Sequence, residues 1–295
     1  MIVATTRAEL RASRDKLAGP VVLVPTMGAL HDGHRALLAR ARQLAGQSGT
    51  VVVSIFVNPL QFGPNEDLDR YPRTLEADLE ACEAAHVDAV FAPGAAEMYP
   101  APQVVTVDPG PAGDILEGEF RPGFFQGVLT VVLKLFSLVR PDVAVFGQKD
   151  AQQLTLVRRM TADFALGIEI EAVPTVRAAD GLALSSRNKY LSSSERKVAP
   201  VLHRALAAGA AAAGGGPSAV LGTARQVLDA EGSAFTVDYL ELVERETYVP
   251  VRDDEFTGAA VLAIAARLGS TRLIDNVTFQ VGTGQFGMAG HAADD

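Results

Sequence analysis

Short apolar runs alternate with amphipathic stretches through the first 175 or so residues. Val21-Val22-Leu23-Val24 ends at Pro25 and reads as a strand, and Gly33 to Leu44 follows with apolar residues at helical spacing. Val51 to Val57 is a second strand, too apolar to be half exposed, and Arg73 to Ala85 a second helix. Val87 to Ala92, Val143 to Phe146 and Ile168 to Val173 extend the strand series, with helices over Val128 to Val139 and Ala151 to Ala165 between them. Continuous apolar strands alternating with helices predict a parallel sheet covered on both faces, a Rossmann-like doubly wound α/β fold. Such a fold puts ligands at the carboxyl ends of its strands.

The texture changes after Thr175. Ser192 with Glu195 three residues on forms a capping box that opens a helix predicted to run to about Ala213, where Gly214-Gly215-Gly216-Pro217 breaks it. A helix over Ser218 to Ala230 follows, then strands over Thr236 to Val243, Ala259 to Leu268 and Arg272 to Val281. This pattern predicts a second, smaller α+β domain over 176–295, beside a first domain over 1–175.

Composition narrows the function classes. Of 295 residues, 48% are hydrophobic and 21% charged, enough for a sizeable core, and the formal net charge is −9. An acidic chain with no basic stripe is a poor partner for nucleic acid. The single cysteine, Cys82, excludes internal disulfides and Cys-rich metal sites and reads as a small buried thiol on a helix. Met1 to Arg14 lacks the apolar core of a signal peptide, and Val128 to Val139 is too short to span a membrane, so a cytoplasmic enzyme without membrane partner is expected.

Four segments at strand ends carry candidate chemistry. Pro25-Thr26-Met27-Gly28-Ala29-Leu30-His31-Asp32-Gly33-His34 joins the first strand to its helix. His31 and His34 share one face of the opening turn, and free N–H groups there favour an anion. Asn58 and Gln61, after the second strand, are neutral amides suited to hydroxyls or a carboxylate, followed by a polar segment over Pro64 to Pro72 that reads as a lid or a surface loop. Gly147-Gln148-Lys149-Asp150 again links a strand to a helix, with Lys149 as a point charge for phosphate and Asp150 as an acceptor for ribose hydroxyls. Leu184-Ser185-Ser186-Arg187-Asn188 sets two hydroxyls and a guanidinium in sequence, a set suited to phosphate oxygens and equally to a polar turn. Gly282 to Gly287 matches G-x-G-x-x-G, but no helix and downstream acid can follow before Asp295, so it reads as a flexible tail.

In order, the motifs Pro-Thr-Met-Gly-Ala-Leu-His-x-Gly-His (25–34), Ser-Ile-Phe-Val-Asn-Pro-x-Gln-Phe (54–62), Tyr-Pro-Arg-Thr (71–74), Leu-Glu-Gly (116–118), Gly-x-Lys-Asp-x-Gln-Gln-Leu (147–154), Asp-Gly-Leu-Ala-x-Ser-Ser-Arg-Asn (180–188) and Arg-Leu-Ile-Asp-Asn (272–276) cover nearly the whole chain. This ordered set resembles the pantothenate synthetases. The resemblance implies a Rossmann-like domain with a smaller C-terminal lid domain, a homodimer, and ATP with Mg2+. It also implies ligation of pantoate to β-alanine through pantoyl adenylate, releasing pyrophosphate and then AMP.

By the same resemblance, His31, His34, Lys149 and Arg187 are the catalytic set. Ser185 and Ser186 hold phosphates with Arg187, while Gly147 and Asp150 hold the ribose. Val176 and Leu184 lie near the nucleotide, with Pro25, Thr26 and Met27 completing its site. Met27, Asn58, Gln61 and Gln153 form the pantoate site; no metal is assigned to protein ligands alone.

Two residues depart from the family pattern: Phe124 stands where a histidine is usual, and Gln148 where a glutamate is usual. Two other readings fit part of the pattern. One is a nucleotidyltransferase of the same superfamily that leaves AMP on its product. The other is a binding protein that keeps the fold without turnover.

Overall fold

A computed structural model describes residues 1–14, 18–64, 66–232 and 234–282. The glycine-rich tail over 283–287 lies outside the described residues. The chain divides into two compact units, Met1–Lys189 and Tyr190–Asp295.

The first unit runs β1 (Ile2–Ala4), α1 (Arg7–Arg14), β2 (Val21–Thr26), α2 (Asp32–Ala45), β3 (Thr50–Ile55), α3 (Leu75–Ala84), β4 (Ala89–Phe91), α4 (Ala95–Met98), α5 (Glu117–Phe120), α6 (Phe124–Val139), β5 (Val143–Gly147), α7 (Ala151–Asp163) and β6 (Glu169–Val173). Its six strands lie in the order β1-β4-β3-β2-β5-β6, all parallel. Alternate residues of β2 explain why its sequence is apolar throughout. Leu23 packs with Val52, Phe91, Phe125 and Leu129 on one face, and Val22 and Val24 pack with Leu37, Val53 and Cys82 on the other. Both faces are therefore covered by helices, as a parallel sheet requires.

The strand order reverses between β2 and β5. From β2 the chain moves outward to β3 and β4; it then returns to start β5 on the other side of β2. This is the topological switch point at which doubly wound sheets open a crevice. Here the opening has a local cause: Pro25 has no N–H to give, and the β2–β5 ladder holds only Val22↔Val143 and Leu23↔Ala144. The carboxyl ends of β2 and β5 therefore diverge just where the histidine and Lys149 segments begin.

The second unit contains α8 (Ser193–Val198), α9 (Val201–Ala211), α10 (Gly216–Ala230) and an antiparallel sheet β7 (Thr236–Glu244), β8 (Gly258–Leu268), β9 (Thr271–Val281) with β8 central. Ser192 and Glu195 make both bonds of the expected capping box. The single helix expected after it is two, because Pro200 interrupts the backbone donors between α8 and α9.

Residues 176–189 group with the first unit, not with the second as a boundary at 175 has it. An isolated bridge pairs Arg177 with Ala183, the Leu184 N–H donates to the Val176 carbonyl (2.9 Å), and Arg187 donates to Asp67 (3.3 Å). The first two fold the segment on itself, and the third ties it back to the parallel-sheet unit. No single helix among the described residues is long and apolar enough to cross a membrane.

Candidate active site

Every candidate site residue lies in the first unit. His31 is the N-cap of α2 and His34 the third residue of its first turn. The two rings cap the helix reciprocally: His31 Nδ1 accepts from the Gly33 N–H (3.1 Å), and His34 Nδ1 accepts from the His31 N–H (3.3 Å). An imidazole nitrogen that accepts carries no proton, so each ring keeps its hydrogen on Nε2 and offers an N–H donor there. The ring centroids are 4.2 Å apart. Burial, then the neighbouring His31, pushes His34 down to about 3, and burial, then Lys149, lowers His31. Both rings are thus neutral donors at the positive end of a 14-residue helix, a site built for an anion.

Gly33 is required by this arrangement. A Cβ there would stand 2.8 Å from His31 Cε1 and 2.9 Å from Nδ1. Gly33→Ala should favour the helix by about 1 kcal/mol yet push the His31 ring aside. The expected result is an unchanged or higher melting temperature with turnover down by about 10²-fold, since small misplacements of a reacting group cost that much. Circular dichroism melting and steady-state rates on the same sample check it.

The loop that delivers His31 is held by a residue the motifs did not reveal. Gly28 (φ 80°) and Ala29 (φ 52°) are both left-handed. The Asp78 carboxylate, 2% exposed on α3, accepts from the Ala29 (3.0 Å) and Leu30 (2.8 Å) N–H groups and from the Thr74 hydroxyl (3.2 Å). A carboxylate on the core-facing side of a helix, beside Leu79 and Cys82, was the readable signal. Thr26 serves the same loop: its hydroxyl donates to the Ser54 carbonyl (2.8 Å) and accepts from Gly28 (3.2 Å). Cys82 is an inert core thiol, pushed up to about 11 by burial and then by Asp78.

Lys149 and Asp150 sit on a 3-10 turn between β5 and α7, with Nζ 3.4 Å from the Asp150 carboxylate. Lys149 is close enough to oppose protonation of both imidazoles. Gly147 ends β5, and Gln153, half-buried, lies one turn along α7 from Asp150. Its neighbour Gln152 is spent on structure, holding the Ala112 and Ile115 carbonyls and the Glu117 N–H.

From the other side, Leu184 lies against Gly33. The Ser185 hydroxyl accepts from the Arg187 N–H (3.2 Å), and Ser186 bonds the buried Tyr71 phenol. Burial opposes the Arg187 charge, but Asp67 outweighs it and holds the guanidinium above its ordinary value. The structure therefore gathers His31, His34, Lys149, Asp150, Leu184, Ser186 and Arg187 around one crevice.

Next to it, Gln61 donates to the Met27 sulfur (3.1 Å). Asn58 faces inward: it is 1% exposed, with both ends of its amide bonded to protein. In this structure its amide is engaged by Gln61, Gly127, Leu60 and Tyr99. Arg121 makes a further unforeseen contact, donating to the Gln61 carbonyl (3.1 Å) and to Glu66 (2.9 Å) with its guanidinium 3.7 Å above Phe124. Phe124 thus acts as an apolar platform for Arg121 where the family pattern has a titratable ring.

A family model described as pantoate-beta-alanine ligase matches residues 2–278. The chain is 59% identical to the pantothenate synthetase of Thermobifida fusca (94% of this chain, 95% of that one) and 55% identical to that of Mycolicibacterium smegmatis (98% and 88%). Its fold superposes on pantothenate synthetase from Thermus thermophilus with a TM-score of 0.87 at 49% identity (94% and 99%). It also superposes on the Francisella tularensis pantoate-beta-alanine ligase complexed with beta-gamma ATP and beta-alanine, with a TM-score of 0.76 at 32% identity (96% and 99%). With its crevice, its two capping imidazoles and its motifs all in place, the chain belongs to the pantoate–β-alanine ligase family.

Proposed function

We propose that this chain activates the carboxylate of pantoate with ATP and joins it to β-alanine, making pantothenate. The observation that carries the reading is the pair of neutral Nε2–H donors beside Lys149 at the start of α2. A pantoate carboxylate oxygen bonds to the α-phosphorus, and the bond to pyrophosphate breaks. The amine of β-alanine then bonds to the acyl carbon, loses a proton, and the bond to AMP breaks. Neither step needs a protein nucleophile; both need positioning and fixed donors where charge develops.

His31 and His34 donate to the phosphates and to the leaving pyrophosphate, while Lys149 bridges to the α-phosphoryl oxygen. Ser185, Ser186 and Arg187 grip the outer phosphates, Asp150 and Gly147 hold the ribose, and Val176 lies by the adenine. Magnesium arrives on the triphosphate as part of the substrate. Such an ion asks at most one or two carboxylates of the protein, and Asp67 and Asp150 are the acids neighbouring Arg187. Met27, Gln61 and Gln153 receive pantoate. The family resemblance further supports a cytoplasmic homodimer.

Gln153→Ala should raise the KM for pantoate about tenfold, the cost of one unpaired substrate hydrogen bond, and leave the KM for ATP unchanged. Equal rises in both would remove Gln153 from the pantoate site. Product analysis by mass spectrometry tests the reaction itself: free AMP with a new amide supports it, and an adenylylated stable product supports the transferase alternative.

A further inference from the structure

Gln61 lies 34 residues from Met27 and three from Asn58, and an amide in such a place has two orientations that differ in what they recognise. With nitrogen toward the pocket it reads acceptor oxygens; with oxygen it reads donors. The surrounding bonds decide between them. The Leu60 backbone N–H can only donate, and it meets Asn58 Oδ1 at 3.3 Å. The Gly127 carbonyl can only accept, and it meets Asn58 Nδ2 at 3.1 Å. The Asn58 amide is therefore fixed by backbone groups, and its second N–H points at Gln61 Oε1, 3.1 Å away. Gln61 must then present Nε2 on the Met27 side.

The close approach behind this is built in. A Cβ on Gly127 would come within 2.1 Å of the Leu60 carbonyl oxygen and 2.8 Å of the Gln61 nitrogen, so only glycine lets α6 reach the turn that carries Gln61.

One side chain completes the set from a distance in sequence. The Tyr99 hydroxyl, just past α4, donates to Asn58 Oδ1 at 2.8 Å, the shortest of the four bonds to that amide. Its ring stands 6.0 Å from Phe56, and Lys134 Nζ lies 4.6 Å over it. Burial pushes the phenol up to about 12, so it stays a donor at any working pH.

We infer that Tyr99 is a positioning residue for the acid substrate: acting through Asn58, its hydroxyl locks Gln61 with its N–H end toward the oxygens of pantoate. The inference rests on Gln61 reading pantoate. Without the phenol hydroxyl the backbone still sets which way the Asn58 amide points, through Gly127 at Nδ2 and Leu60 at Oδ1, but Oδ1 keeps only the 3.3 Å bond and the amide that orients Gln61 is held less firmly.

The test compares Tyr99→Phe, Gln61→Ala and the double variant in steady-state kinetics with each substrate varied. Tyr99→Phe should raise the KM for pantoate about 5- to 10-fold, with the KM for ATP unchanged and only a small fall in melting temperature, because one buried hydrogen bond is lost without a cavity. In the Gln61→Ala background the same change should do nothing more, since both act through one amide. An unchanged pantoate KM in Tyr99→Phe, or the same factor with Gln61 already removed, overturns the inference while Gln61 keeps its role. If Gln61→Ala itself leaves pantoate unaffected, the reading of Gln61 falls, and the inference falls with it.

Discussion

His34→Ala is expected to lower turnover by roughly 10²–10³, the loss that follows removal of one preorganised donor to developing charge. His34 Nδ1 is committed to the His31 N–H, so the only hydrogen it can offer a ligand is on Nε2. Alanine removes that donor and the cap together; capping bonds are worth about 1 kcal/mol, so a modest fall in melting temperature should accompany the kinetic loss. His34→Asn separates the two effects: its short side chain can accept from the His31 N–H but cannot reach as Nε2 does. It should regain stability and not turnover, and near-normal activity in either variant would refute the role.

The same geometry has a sign in pH. His34 stays neutral until about pH 3, while the unfolded ring titrates at the ordinary value of 6.5. Unfolding therefore takes up a proton between these values, and the ligand-free fold loses stability as pH falls through that window.

Lys149→Met should be at least as damaging, again roughly 10²–10³ in turnover, because a full charge is lost from the proposed phosphate site. Lys149 sits beside both imidazoles and 3.4 Å from Asp150, on the turn just past β5, which borders the switch point. Charge builds on the α-phosphoryl oxygen and the departing pyrophosphate during reaction. The loss should accordingly fall on kcat more than on the KM for ATP. Single-turnover measurement of pyrophosphate release separates the two; a variant with weakened ATP binding and normal turnover would place Lys149 in ground-state binding alone.

Much of this molecule was legible in its sequence because its strands are buried on both faces. β2, β3 and β5 appear as unbroken apolar runs, and the residues that follow them carry the chemistry. What escaped was short or non-local. β1 has three residues, two of them exposed, and α4 and α5 are single turns, too brief for any period to register. α6 begins four residues before its expected start, entered through the left-handed Gly123. At the site, the motifs named residues that cluster at the strand ends, but not those that hold them. Asp78 reaches Ala29 across 49 positions, Arg121 reaches Gln61 across 60, and Tyr99 reaches Asn58 across 41. Pairings of this kind depend on the sheet order, which no local pattern encodes. Asn58 shows the consequence: its motif suggests a ligand contact, and its surroundings make it a support for Gln61.

Acyl activation and amide formation are proposed to occur together in this crevice. The most direct measurement is AMP and pyrophosphate formation from magnesium ATP with pantoate alone, β-alanine alone, or both. Sustained AMP release only with both, matched by pantothenate, is the predicted result. Sustained AMP release with pantoate absent, or ATP binding with no AMP under any combination, would contradict it.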